Sequence, residues 1–323
     1  MAENSPKGLF SCHFWYIIIT YYMRKGDFVS IDGYGNASYA PEITDLLKEI
    51  TEDITKAIIK DGNPIVVLEH YRWVPEVLSL WAKQVNLCDS CILLLENGME
   101  QEAYLLARSQ FNNMLWIKYI CDGEGDERVK EYFHQPNISQ IMHNKNLIRL
   151  LRDFDDYEDD RFDKTKMIEK LEKAIKENEK ILTQNNIDNK LKSIAELSKQ
   201  TTLLFSSYLT MYNNASKFEH SDMSTIRKYR KEVLEGYSKE QIFTIDLNTS
   251  DKKDWFNVLH YSMMSLFQAF DSFTNRIRNK DNHLLSYPKN NPAYSQAAFD
   301  EILLKFKLCM AMMEKEMPIL EQN

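Results

Sequence analysis

An all-α fold is what this sequence predicts, and three observations predict it. The 323 residues contain only 9 Gly and 8 Pro, too few turn-formers for a doubly wound sheet or a sandwich. Large apolar side chains recur three and four residues apart over most of the chain, the period of one helical face. In the second half of the chain, period-two alternation marks one short run, residues 241–247. The expected architecture is an antiparallel bundle of about five core helices, with a peripheral charged helix at 164–184 and an irregular segment over 1–40. Residues 41–323 are expected to form a single helical domain, since neither an internal repeat nor a low-complexity linker divides them.

The pattern turns helical at Pro41, where Ile43, Leu46, Leu47, Ile50, Ile54 and Ile58 share a face, and Asp61-Gly62-Asn63-Pro64 ends it. A second helix is predicted over Pro75 to Glu96 and a third over Met99 to Cys121, separated by Asn97-Gly98 and closed by the loop holding Gly123 and Gly125. So short a turn forces the two to pack antiparallel. Residues 137–152 carry a further apolar stripe, and the acidic run 153–163 reads as a surface loop. Lys164 to Gln184 is rich in Lys and Glu with few large apolar residues, so it is expected to be solvated over most of its girth. Apolar periodicity returns at 187–199 and at 201–218. Residues 241–247 (QIFTIDL) read as a short strand, Asp254 to Arg278 as a long core helix, and Tyr294 to Met317 as the last helix.

Charge and cysteine usage narrow the setting. A formal charge of −8 argues against non-specific coating of nucleic acid, which rests on a broad basic surface. Five cysteines, an odd number, with no secretory leader suggest a reducing compartment and a cytoplasmic location. The apolar run Leu9 to Met23 is shorter than the ~20 residues needed to span a bilayer, so no membrane association is expected, and the run reads as a buried strand or capping helix.

Familiar chemical signatures are missing. Cys88 and Cys91 have the spacing of a zinc half-site, but no second pair accompanies them, and three residues apart on a helix they read as buried small hydrophobes. The acidic run lacks the Gly and Glu of a calcium loop in register. Neither a phosphate-cradling Gly-rich loop, nor a Gly-x-Ser-x-Gly elbow, nor His-Glu-x-x-His occurs. No metal and no cofactor are expected.

Two polar constellations remain. Arg108 stands inside an otherwise apolar helix ahead of Phe111, Leu115 and Trp116, where a buried guanidinium requires a partner. Ser216 and His220 lie one turn apart near the end of another helix. As a structural reading, Arg108 and His220 belong to a polar network fixing the register of the bundle. The second constellation is Arg278 and His283, which on the structural reading are a helix-capping Arg and a surface His.

The segments Glu102-Ala-Tyr-Leu-Leu-Ala-Arg108-Ser109-Gln-Phe111-Asn112 and Tyr208 to Asp222 resemble an uncharacterised family of bacterial helical proteins. Its members carry an Ala-x-x-Leu-x-Arg-Ser-x-Phe-Glu helix and later a Tyr-x-x-x-Ser-x-x-x-His helix end. The resemblance covers roughly residues 75 to 280, and the chain departs from it at Asn112, where the family has Glu. Arg278-Asn-Lys-Asp-Asn-His283 resembles the signature of HEPN domains, helical bundles that often act as metal-independent RNases. That likeness implies an RNA-cleaving or RNA-binding effector of a bacterial toxin or phage-defence type, and a homodimer. His283 would then act as general base or acid toward a ribose 2′-hydroxyl while Arg278 holds the phosphate. Arg108, Ser216 and His220 are the alternative catalytic set. The competing expectation is a non-catalytic scaffold that binds a protein partner.

Overall fold

The computed structural model describes residues 39–67, 71–153, 163–219, 223–232, 243–245, 250–285 and 294–321. The irregular segment expected over 1–38, its apolar run, and the acidic residues 154–162 lie outside the described residues. The fold is all-α, an antiparallel bundle of packed helices.

Helix α1 (Pro41–Ile54) begins with Pro in its first turn, where the missing N–H costs nothing, and buries Ile43, Leu47, Ile50 and Ile54. It runs on through a π turn, Thr55–Ile59, to Lys60, whose φ of 56° closes it in the left-handed region. Helices α2 (Trp73–Glu96) and α3 (Glu100–Asp122) form the antiparallel hairpin that the sequence predicts, turning at Gly98 with φ of 69°. That angle favours a residue without Cβ. Trp81, Ile92, Leu95, Leu115 and Ile117 are fully buried between these helices and α10 (Lys252–Asn279), which runs along both. Polar side chains pin the register inside this seam: Asn113 donates to Leu80 O (2.7 Å) and to Gln84 Oε1 (2.8 Å), and Ser262 donates to Gln110 Oε1 (2.7 Å).

Helix α4 spans Gly125–Asp153, with Pro136 inside it. It starts earlier than the stripe at 137–152 suggests, because Gly125 opens the helix and does not extend the preceding loop. A Cβ at Gly125 would lie 2.7 Å from the Trp73 ring, so only Gly allows this approach. Asp126 then accepts the Trp73 backbone N–H at 3.0 Å, capping α2 from a distant segment. Helix α5 (Lys164–Gln184) has the predicted bounds, and Asp163 caps it. It packs on α4 around a small apolar cluster, Ile138, Ile141, Ile148, Ile175 and Leu182, separate from the main core.

The stretch 187–199 is helical only at α6 (Ile194–Ser198). Helix α7 (Thr202–Ser207) passes through a second π turn, Tyr208–Tyr212, into α8 (Asn213–Glu219), and together they cover the predicted core helix at 201–218. A short α9 (Met223–Ile226) leads to strand β1 (Arg230–Glu232). This pairs antiparallel with β2 (Phe243–Ile245), Lys231 opposite Thr244, so the strand predicted near 241–247 has a partner. Helix α11 (Gln296–Glu321) closes the bundle against α1 and α10. By length and composition α2 alone, among the described residues, could cross a membrane, and half of its apolar window is buried in the bundle.

Candidate functional site

Arg278 lies in the last turn of α10 and points toward the start of α11. It donates to Gln296 Oε1 at 3.0 Å and to Asp300 Oδ1 at 2.6 Å. His283 is exposed in the single-turn helix Asn282–Leu285, with Nδ1 3.2 Å from the Tyr71 hydroxyl and its ring 4.8 Å from that of Tyr71. The two side chains thus engage different parts of the chain. The arginine of this helix end that enters the core is Arg276. Its Nε donates to Asp281 at 2.5 Å, it also donates to the carbonyls of Cys121 (3.4 Å) and Gly123, and its guanidinium lies 5.0 Å from the Trp73 ring. Sequence spacing does not separate these arginines; only the orientation of α10 does.

Arg108 is held between α3 and the helix after the second π turn. It pairs with Glu219, donates to the Tyr212 hydroxyl at 2.8 Å and stands 4.5 Å from that ring's centroid. Burial of a guanidinium is compensated here by a carboxylate and an aromatic face together. The carboxylate comes from Glu219, not from position 112, where Asn112 keeps a buried oxygen without a hydrogen bond. Ser216 donates to Tyr212 O at 2.7 Å, within its own helix. His220 lies outside the described residues.

The ring next to Arg108 belongs to a row. Tyr212 stacks on Tyr208 at 5.1 Å, and Tyr208 on Phe205 at 6.2 Å. All three are half-buried, and Tyr208 and Tyr212 pack against the main core. Farther along α3 the half-buried Trp116 and Tyr119 form a second aromatic group at 5.9 Å, and Trp116 meets Tyr132 of α4 at 5.0 Å. The sequence does not reveal this row as a surface feature, because Tyr208 and Tyr212 read as core positions and do pack against the main core; helical periodicity marks a face but not its depth.

Two cavities flank the row. Behind the π turn a space of about 30 Å³ is lined by Met114, Thr210, Met211, His260 and Ser265. That is the room of about one water molecule, so it is a feature of packing and no substrate pocket. Burial pushes the His260 imidazole down to about 4, leaving it neutral near pH 7. At the other end Tyr119 reaches a cleft of about 760 Å³ between α4 and residues 185–200. Across it Lys192 pairs with Glu131 at 3.0 Å, Tyr119 donates to Glu131 at 2.5 Å, and along the wall formed by residues 185–200 Lys190 pairs with Glu196 at 2.8 Å.

Among the described residues no group of His, Cys, Asp and Glu is placed to hold a metal. Cys88 and Cys91 are fully buried free thiols, and burial pushes that of Cys88 up to about 12.

Residues 77–237, about half of the chain, match the model of a family of unknown function, DUF5677. The kinship with an uncharacterised family is therefore met over the segment that carries Arg108 and Ser216, and the match ends before Arg278 and His283. No curated protein and no solved structure matches the chain.

Proposed function

We propose that this chain, which belongs to the DUF5677 family over residues 77–237, is an RNA-targeting protein that binds single-stranded RNA along α3 and the helix containing the second π turn. The observation that supports this most is the half-buried row Phe205, Tyr208, Tyr212 with the Arg108 guanidinium beside its last ring. A base stacks on an aromatic face for about 1–3 kcal/mol, whatever its sequence; Tyr208 and Tyr212 already cover one another, so a base would meet this row at its Phe205 end. Arg108 supplies the positive charge that a nearby phosphate needs, in competition with Glu219. The row also lies in the family-matched segment, which the HEPN-like pair does not.

Binding is favoured over cleavage by the geometry of Arg278 and His283. A metal-independent RNase needs a base and a phosphate-holding cation converging on one ribose, whereas these two residues are engaged toward α11 and toward Tyr71. The setting that the HEPN likeness implies, a cytoplasmic bacterial toxin or phage-defence system acting as a homodimer, belongs to the same proposal. The rival reading, a scaffold for a protein partner, draws on the neutralisation of Arg108 by Glu219.

Fluorescence anisotropy with a labelled single-stranded RNA at low salt tests the proposal. Wild type is expected to bind, and Phe205→Ala and Arg108→Ala each to weaken binding by roughly tenfold, one stacked base being about 1–3 kcal/mol. His283→Ala is expected to bind as wild type does. No binding by wild type, or equal binding by all variants, would refute the assignment and leave the scaffold reading. Expression of wild type against His283→Ala, with RNA integrity as readout, separates binding from cleavage: RNA degraded only by wild type would restore His283 as a catalytic base.

A further inference from the structure

Among the described residues the buried apolar side chains sort into two clusters that share no residue, and α4 runs through both. Its first half contributes Val129 and Tyr132 to the main core, and its second half contributes Ile138, Ile141 and Ile148 to the smaller one. Pro136 stands between the two halves. Proline has no N–H to donate to the carbonyl four residues back, and its ring displaces that carbonyl, so a helix is weakest and bends there. The returning chain changes cluster at the matching level: Ile187 and Leu191 pack with the small cluster and Ile194 with the main one, leaving Lys192 and Ser193 between. Helix α5 packs extensively on α4 alone.

What bridges the junction is polar and partly exposed. Lys192 N donates to Gln135 Oε1 at 2.9 Å, and Lys192 Nζ pairs with Glu131 at 3.0 Å, with side chains 32% and 38% exposed. Contacts of this kind are screened by water and salt and hold weakly compared with a buried apolar seam. The cleft of about 760 Å³ opens at this junction, with Glu127 to Gln135 on one wall and Asn185 to Lys192 on the other.

We infer that α5 and the second half of α4 form an arm that swings as one body about Pro136 and the Lys192-Ser193 pair, opening and closing the cleft at its base. The inference does not depend on what the cleft or the aromatic row binds. It makes the width of the cleft a variable of the fold, and it gives Lys192 the role of a latch between arm and bundle.

Distances between paired spin labels test it on the full-length chain carrying Cys12→Ser, the other cysteines being buried. One pair joins arm to bundle, Lys173→Cys with Ser90→Cys; a reference pair stays in the bundle, Ser90→Cys with Glu301→Cys, all at exposed positions. The arm pair is expected to give a clearly broader distribution than the reference pair. Pro136→Ala, which restores the missing hydrogen bond, should narrow it, and Lys192→Ala should broaden it further. An arm distribution as narrow as the reference, or one that neither substitution alters, would overturn the hinge. Should Pro136→Ala fail to fold, Lys192→Ala and amide exchange decide: exchange at 133–137 no faster than at 141–148 in wild type is a negative result.

Discussion

Arg276 and Arg278 stand two residues apart and differ in every physical respect that matters. Arg276 and its partner Asp281 are almost wholly buried, while the Arg278–Asp300 pair is open to solvent. Removing one member of a buried pair strands the other charge, at about 3–5 kcal/mol; an exposed pair contributes under about 1 kcal/mol. Asp281→Ala is therefore expected to cost several times what Asp300→Ala costs in urea unfolding, and equal costs would show that Arg276 has other compensation. His260 gives a second prediction at this scale. Burial lowers it to about 4 from an ordinary value of ~6.5, so the unfolded chain takes up its proton first as pH falls. The stabilising contribution is intact above pH ~6.5 and is lost as pH falls to about 4, roughly 3 kcal/mol in all. His260→Phe should reduce the loss of unfolding free energy between neutral pH and pH ~5; an unchanged loss would mean that His260 is not the group responsible. The sequence made Arg108 legible, because a lone guanidinium in an apolar helix face demands compensation. It left Glu219 illegible, since the partner arrives from a helix far along the chain.

Helix α5 was legible to the residue: Asp163 caps it, and its Lys and Glu pattern sets it apart from its neighbours. The first half of α4 was not, because its few apolar residues leave no clear stripe and Pro136 reads as a helix start. Neither π turn was legible, since one added residue in a turn hardly alters apolar spacing. β2 was announced by alternation, but its partner Arg230-Lys231-Glu232 is wholly charged and carries no apolar signal. Separate clusters imply separate stabilities. Ile141→Ala, at 1% exposure in the small cluster, is expected to cost about 2–4 kcal/mol in the arm alone. Hydrogen exchange should then quicken over 138–153 and 164–182 while amides of α2, α3 and α10 keep their protection. Equal acceleration in those core helices would mean that arm and bundle unfold together.

For the molecule as a whole, the scarcity of Gly and Pro together with the three-and-four apolar spacing gave the fold class, because helices with no broad sheet to cover bury their apolar faces against one another. What composition could not give is how far the main core behaves as one cooperative unit. Four buried thiols offer a measurement: Cys88 and Cys91 on α2, Cys121 on α3 and Cys309 on α11, none more than 2% exposed. Thiol reagents attack the thiolate, and burial pushes Cys88 and Cys309 up to about 12, so labelling must wait for the surrounding helices to separate. Helices α2, α3 and α10 pack closely on one another, whereas α11 sits at the side of the bundle against α1 and α10. Phe270 and Phe306 nevertheless meet at 5.5 Å, and Phe299 lies 6.1 Å from Phe270. Such contacts carry α11 into the same core, so all four thiols are expected to label at a single rate with one dependence on urea. If Cys309 labels well ahead of the other three, α11 opens by itself and the main core is two cooperative units.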